Sequence, residues 1–113
     1  VLFLPYPEAE KYNIPTEEQV DELEEFCEFS IDSDGSNKAY IVLGPNGNTI
    51  MFKAVGYMRL KDLQNSSEAY FWQVNKSDNS KEIEVPDFYN ERGIYKTHLF
   101  RGYGVPVRTV KAK

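Results

Sequence analysis

Val1-Leu2-Phe3-Leu4 opens the chain as a short apolar run stopped by Pro5 and Pro7, the length of a buried strand. Residues 5–13 are polar and turn-forming. The period then changes. Val20, Leu23, Phe26 and Cys27 recur at i, i+3, i+6 and i+7, one apolar stripe at helical spacing. Asp21, Glu22, Glu24, Glu25 and Glu28 cover the other faces. The start signals agree with the stripe. Pro15 keeps Ile14 extended, Thr16 stands at the N-cap, and Gln19 completes a capping box. Glu17 and Glu18 lie in the first turn, where the helix dipole favours anions. The pattern predicts an amphipathic helix over 17–28.

Beyond this helix the chain reads as strands and turns. Asp32 to Asn37 has the composition of a loop. Ala39 to Leu43 is rich in strand-forming residues, Gly44-Pro45-Asn46-Gly47 is a turn, and Thr49 to Phe52 returns, so 39–53 predicts a hairpin. Tyr70 to Val74 is a strand candidate, followed by a polar loop over 75–80. Glu82 to Val85 reads as a short strand and Pro86 to Gly93 as a long irregular connection. Ile94 to Phe100 and Val105 to Val110 are the last two strands, with Pro106 pointing to an edge position. One helix among many short strands is an α+β pattern.

Composition narrows the class. The chain has 113 residues, enough for one domain, and its 13 Lys+Arg against 18 Asp+Glu give −5. An acidic domain lacks the cationic face that nucleic acid requires. No apolar run approaches the roughly 20 residues that span a bilayer. Cys27 and His98 are each alone in the sequence, which excludes an internal disulfide and a His/Cys metal cluster. The chain begins at Val1, so it is expected to be an excised or C-terminal part of a longer product.

Several segments, taken in order, carry a family pattern. Ile14-Pro15-Thr16-Glu17-Glu18-Gln19-Val20-Asp21-Glu22-Leu23 resembles an "lPTxxExxEL" helix opening, and Cys27 and Phe29 match a following Cys-x-aromatic. Gly44 to Phe52 resembles "GPNGNxIfLP", Ala54 to Arg59 resembles "aaGyr", and Phe71-Trp72 stands where a Tyr-Trp-Ser-Ser occurs. Arg101 to Val110 resembles "RxxGxxVRxV". Together, over roughly 14–110, these are similar to the Fibrobacter succinogenes major paralogous domain, grouped with C-type-lectin-like and formylglycine-generating-enzyme-like folds. Lys53 departs from the pattern's Pro, and Gln73-Val74 depart from its paired serines. The resemblance implies a C-type-lectin-like α+β fold: one or two helices on short twisted antiparallel strands, with the termini paired. It also implies an exported bacterial protein, secreted or on the cell surface, without established catalysis.

The candidate chemistry is sparse. Gly44 to Asn48 lacks the Lys-Ser/Thr of a phosphate cradle and precedes a strand. The formylglycine-generating branch uses paired cysteines, which this chain lacks. Val85-Pro86-Asp87 and Trp72-x-x-Asn75 are the reverse of the order in which calcium-dependent lectins carry such ligands, so no metal, cofactor or catalytic residue is expected. The aromatic residues are the richer set, because Tyr and Trp combine an apolar face with a polar handle. Trp72, Asn75, Asp78, Tyr89, Asn90 and Arg92, in loops over roughly 73–81 and 86–93, are the expected ligand contacts. Trp72 and Tyr103 also carry a core reading. Thr16, Gly47, Gly56, Arg101, Gly104 and Arg108 are expected framework residues, with Arg108 a buried strut. The functional expectation is a binding or adhesion module for a glycan or protein, working without calcium. The alternative is a structural domain that assembles with other domains or an appendage.

Overall fold

The computed structural model describes residues 3–34, 37–75, 81–90 and 92–109. Phe3–Leu4 forms β1, followed by α1 (Tyr6–Ala9). α1 falls where a turn was expected. Pro5 sits at its N-cap and a second proline in its first turn, positions where a missing N–H removes no helical hydrogen bond. Burial of Tyr6 and Ala9 holds it in place.

α2 (Glu17–Phe26) begins at the predicted capping box. Gln19 N donates to Thr16 Oγ1 at 3.2 Å, and Thr16 N donates to Gln19 Oε1 at 2.9 Å. The helix stops at Phe26, two residues short of the expected 28. Cys27 is already extended, and Glu28 is committed to the next strand opposite Leu43. The apolar stripe is only partly buried: Val20 is fully enclosed, whereas Phe26 is 62% exposed.

The strands β2 (Glu28–Asp34), β3 (Asn37–Leu43) and β4 (Thr49–Lys53) form an antiparallel sheet in that order. The loop expected over 32–37 is therefore largely strand. Asp32 and Ser33 are both exposed at the far end of a ladder whose earlier positions Phe29 and Ile31 pair with Val42 and Tyr40. These exposed polar residues disguise the strand. A small hairpin follows, β5 (Tyr57–Arg59) with β6 (Asp62–Gln64), two strands too short to show a periodic pattern.

β7 (Ala69–Tyr70), β8 (Glu82–Phe88) and β9 (Tyr95–Phe100) form a second antiparallel sheet with β8 central. β8 runs through Pro86 into the region expected to be irregular. β7 ends at the Tyr70↔Asp87 rung, so no third-strand partner is asked of Pro86, which has no N–H to donate. The strand expected over 70–74 shrinks to β7 because the next backbone groups go elsewhere. Trp72 N donates to Pro106 O at 3.2 Å and Val74 N to Pro15 O at 2.8 Å. β10 (Val105–Pro106) is shorter than the expected 105–110 and pairs antiparallel with β1, so the two ends of the described chain lie side by side.

β8 is buried on both faces and separates two cores. Ile83 and Val85 join Tyr6, Tyr70, Trp72, Leu99 and Val105. Phe88 joins Val20, Tyr40, Phe52 and Phe71 on the other side. Phe88 is the hub of this second core, its ring 4.8 Å from Phe52 and 5.6 Å from Tyr40, centroid to centroid. Aromatic packing of this kind adds roughly 0.5–1.5 kcal/mol per pair beyond simple burial. The result is a small α+β domain with two helices and mostly antiparallel sheets.

Candidate binding site

The chain leaves β8 at Tyr89 and Asn90 and re-enters the sheet at Tyr95. Tyr89 is 45% exposed, and its ring centroid lies 4.2 Å from that of Tyr95. Asn90 fixes the turn in two ways. Its Nδ2 donates to Tyr95 Oη at 3.3 Å, and its Oδ1 accepts from Arg92 N at 2.8 Å. Such an Asn side chain stands in for a turn of backbone. Tyr89, Asn90 and Arg92, three of the expected contacts, are thus gathered at one end of the β8–β9 sheet, with Tyr95 added.

Behind this surface lies a carboxyl pair that the sequence did not single out. Asp87, 6% exposed, stands on β8 directly between Tyr70 on β7 and Tyr95 on β9. Burial raises its carboxyl to about 8, and the charge of Glu68 and a hydrogen bond with it push the same way. Asp87 Oδ1 is buried without a hydrogen-bond donor among the described residues. Glu68 Oε1 accepts from Tyr70 Oη at 3.1 Å, and Asn65 Nδ2 donates to Tyr70 Oη at 3.0 Å. Tyr70 is held above its ordinary value, chiefly by burial. Tyr89 is also raised, by desolvation first, then by its hydrogen bond with Tyr95. The only hints of this cluster in the sequence were isolated carboxylates beside tyrosines, too common to be a signal.

The remaining expected contacts lie elsewhere. Trp72 is fully buried in the first core, its Nε1 donating to Leu4 O at 2.6 Å and its ring edge-on to Tyr6 at 5.3 Å. It has no surface to offer a ligand, so its core reading stands and its contact reading is corrected. Asn75 is a brace. Its Nδ2 donates to Gln73 O at 3.0 Å and Glu84 O at 3.3 Å, and its backbone N donates to Tyr6 Oη at 3.1 Å. Asp78 lies outside the described residues.

Among the framework residues, Gly47 (φ +86°) turns the β3–β4 hairpin. Gly56 (φ +72°) passes so close to Gln64 O that a Cβ would overlap it. Gly104 lies against Met58 and Phe3, where an added Cβ would sit 3.2–3.3 Å from theirs. Arg101 O accepts from Tyr6 N at 2.8 Å, and its guanidinium lies over the Tyr6 ring. Arg108 is a strut but not a buried one. It is exposed, donating from Nη1 to Met51 O at 3.0 Å and covering the Phe52 ring at 4.9 Å. A long side chain can hold its place this way while its charged head stays in water.

No protein-family model, curated protein or solved structure matches the chain. What the site can do is therefore a matter of its chemistry. Tyr89 and Tyr95 present flat rings with hydroxyl edges, Asn90 an amide and Arg92 a cation, all on the end of a paired sheet. Among the described residues, no group of three His, Cys, Asp or Glu side chains is placed to hold a metal ion. No helix is long and apolar enough to cross a membrane.

Proposed function

We propose that this chain is a non-catalytic binding module of an exported bacterial surface protein, recognising a glycan or protein without calcium. The observation that supports it is exposed Tyr89 packed on half-buried Tyr95, braced by Asn90 where the chain leaves β8. Rings held on a rigid scaffold give contact area at low entropic cost, which suits both sugar faces and protein surfaces. The resemblance to the Fibrobacter succinogenes major paralogous domain and a C-type-lectin-like fold points the same way. The test is a screen of the purified chain against glycans and host matrix proteins, with calcium and again with chelator. A chelator-insensitive ligand whose binding is lost in Tyr89→Ala is the expected result. Binding abolished by chelator, or untouched by Tyr89→Ala, overturns it.

A second reading is favoured by a different surface. Phe26 is 62% exposed beside a hollow of about 340 Å³ walled by Pro15, Leu23, Cys27 and Ile50, and nearby Leu43 is 37% exposed. An apolar face of this kind suits assembly with other domains of the same protein. Sedimentation over a range of concentrations separates the two readings: self-association relieved by Phe26→Ser supports assembly.

A further inference from the structure

A second hollow, of about 320 Å³, opens where β4, the segment after β7 and the end of β10 converge. Its walls include Phe52, Tyr70, Phe71, Val55 and Val107, and Lys53 and Arg108 stand on its lining from opposite sides of the sequence. We propose that this hollow binds a small amphipathic anion, a carboxylate carried on a short aliphatic or single-ring body.

Three observations converge on that ligand class. The volume lies at the lower end of the roughly 300–1,000 Å³ range of small-molecule sites, so the body must be small. The walls are apolar and fixed. Half-buried Val55 and Val107 line it above Phe52 and Phe71, stacked at 5.1 Å, so an apolar body gains burial there that a bare inorganic anion does not. The charge is one-sided. Lys53 and Arg108 line the hollow, no Asp or Glu does, and among the described residues neither cation has a carboxylate partner. In a chain of net charge −5 this local excess of cations is conspicuous. Arg108 is also pre-positioned. Its bond to Met51 O and its contact with the Phe52 ring hold the guanidinium at the mouth, with donors left over for a carboxylate. None of Tyr89, Asn90, Arg92 or Tyr95 lines this hollow, so the proposal stands or falls independently of the function proposed above.

The probe is hexanoate, titrated into the full chain and followed by calorimetry and by amide chemical shifts, with hexanol and hexylamine as equal-length controls. Hexanoate is expected to shift the amides of Phe52, Phe71 and Val107 and to bind at least about tenfold more tightly than either control. Lys53→Met keeps the aliphatic stem and removes the charge. Because Lys53 is exposed, this variant tests the charge without risk to the fold, and it is expected to weaken hexanoate about tenfold. Arg108→Met is expected to do the same, and Tyr89→Ala is expected to leave hexanoate binding unchanged. Absence of shifts in this hollow, equal binding of hexylamine, or undiminished affinity in Lys53→Met each overturns the proposal.

Discussion

Asp87 is buried on β8 directly between Tyr70 on β7 and Tyr95 on β9, and the Tyr70 hydroxyl on one side of it donates to Glu68 Oε1 at 3.1 Å. Burial first, and the charge of Glu68 with it, oppose ionisation of Asp87, so its carboxyl keeps its proton well above the usual carboxylate range.

The proton held on Asp87 makes stability depend on pH, and the sign follows from the direction of the shift. The folded pKa of Asp87 lies at about 8, well above its ordinary 3.8. The unfolded chain therefore gives up the proton first. The folded state keeps its full advantage below about pH 4 and loses it steadily as pH rises toward about 8. Asp87→Asn keeps the shape and removes the titration. Urea unfolding at about pH 5 and about pH 9 should show wild type losing more stability on the alkaline side than Asp87→Asn does. Parallel losses in the two proteins would remove Asp87 as the cause.

The capping box at α2 gives a second prediction. Thr16→Ala removes the oxygen that accepts from Gln19 N and leaves Gln19 Oε1 holding the cap alone. The cost should be roughly 1 kcal/mol, a fall in Tm of roughly 4–8 °C for a chain near this size. An unchanged Tm would mean that packing of Val20 alone fixes the helix start.

The start of α2 was legible because capping is local: Thr16, Gln19 and the apolar stripe lie within one short window. The β3–β4 hairpin was legible for the same reason, with Asn46-Gly47 between two runs of strand-forming residues. What failed depended on partners far away in sequence. β2 hides behind Asp32 and Ser33, exposed polar residues that carry no strand signal until β3 pairs with them. Pro86 looks like a strand breaker until β7 is seen to stop beside it. At the surface, Tyr89, Asn90 and Arg92 were found together because they are near neighbours. Glu68 and Asp87 meet only through the β7–β8 rung, and no local pattern announces that.

Glycine positions supply a third prediction with an internal control. Gly47 and Gly56 both have positive φ, so any L-residue there is strained. They differ in space. An added Cβ at Gly47 meets nothing within 4 Å, whereas at Gly56 it overlaps the backbone at Gln64 and Asn65. Gly47→Ala should cost about 1–2 kcal/mol and Gly56→Ala clearly more, since the β5–β6 hairpin has to move. Equal losses in urea unfolding would mean that the hairpin shifts freely.

Leu60 reverses the logic. It sits between β5 and β6 with φ +57°, a conformation costly for a branched side chain, and it is 88% exposed. Almost no burial is lost by replacing it. Leu60→Gly should therefore raise stability by up to about 1 kcal/mol, the relief of strain being partly offset by the entropy of glycine. A stability loss would show that Leu60 packs against its neighbours in a way its exposure conceals.

The last prediction separates two aromatic residues that were both expected as ligand contacts, Trp72 with a core reading beside it and Tyr89 without one. Trp72 is buried, hydrogen-bonded to Leu4 O and packed on Tyr6, whereas Tyr89 is half out of the protein against Tyr95. Trp72→Phe should leave an unpaired carbonyl and a void, costing about 2–4 kcal/mol, yet it removes nothing from the proposed recognition surface. Tyr89→Ala should cost under about 1 kcal/mol, yet it removes the exposed ring of the pair. Since Trp72 is the single tryptophan, its fluorescence reports the first core directly: blue-shifted and shielded from quencher when folded, red-shifted on unfolding. For any ligand found in the screen, Tyr89→Ala should weaken binding at an unchanged unfolding midpoint. Trp72→Phe, which keeps a buried ring but loses the indole, should lower the midpoint, read by circular dichroism, at unchanged affinity below it. If the two variants exchanged these effects, recognition would have to be reassigned from the β8–β9 turn to the β1 side of the fold, where Trp72 meets Leu4.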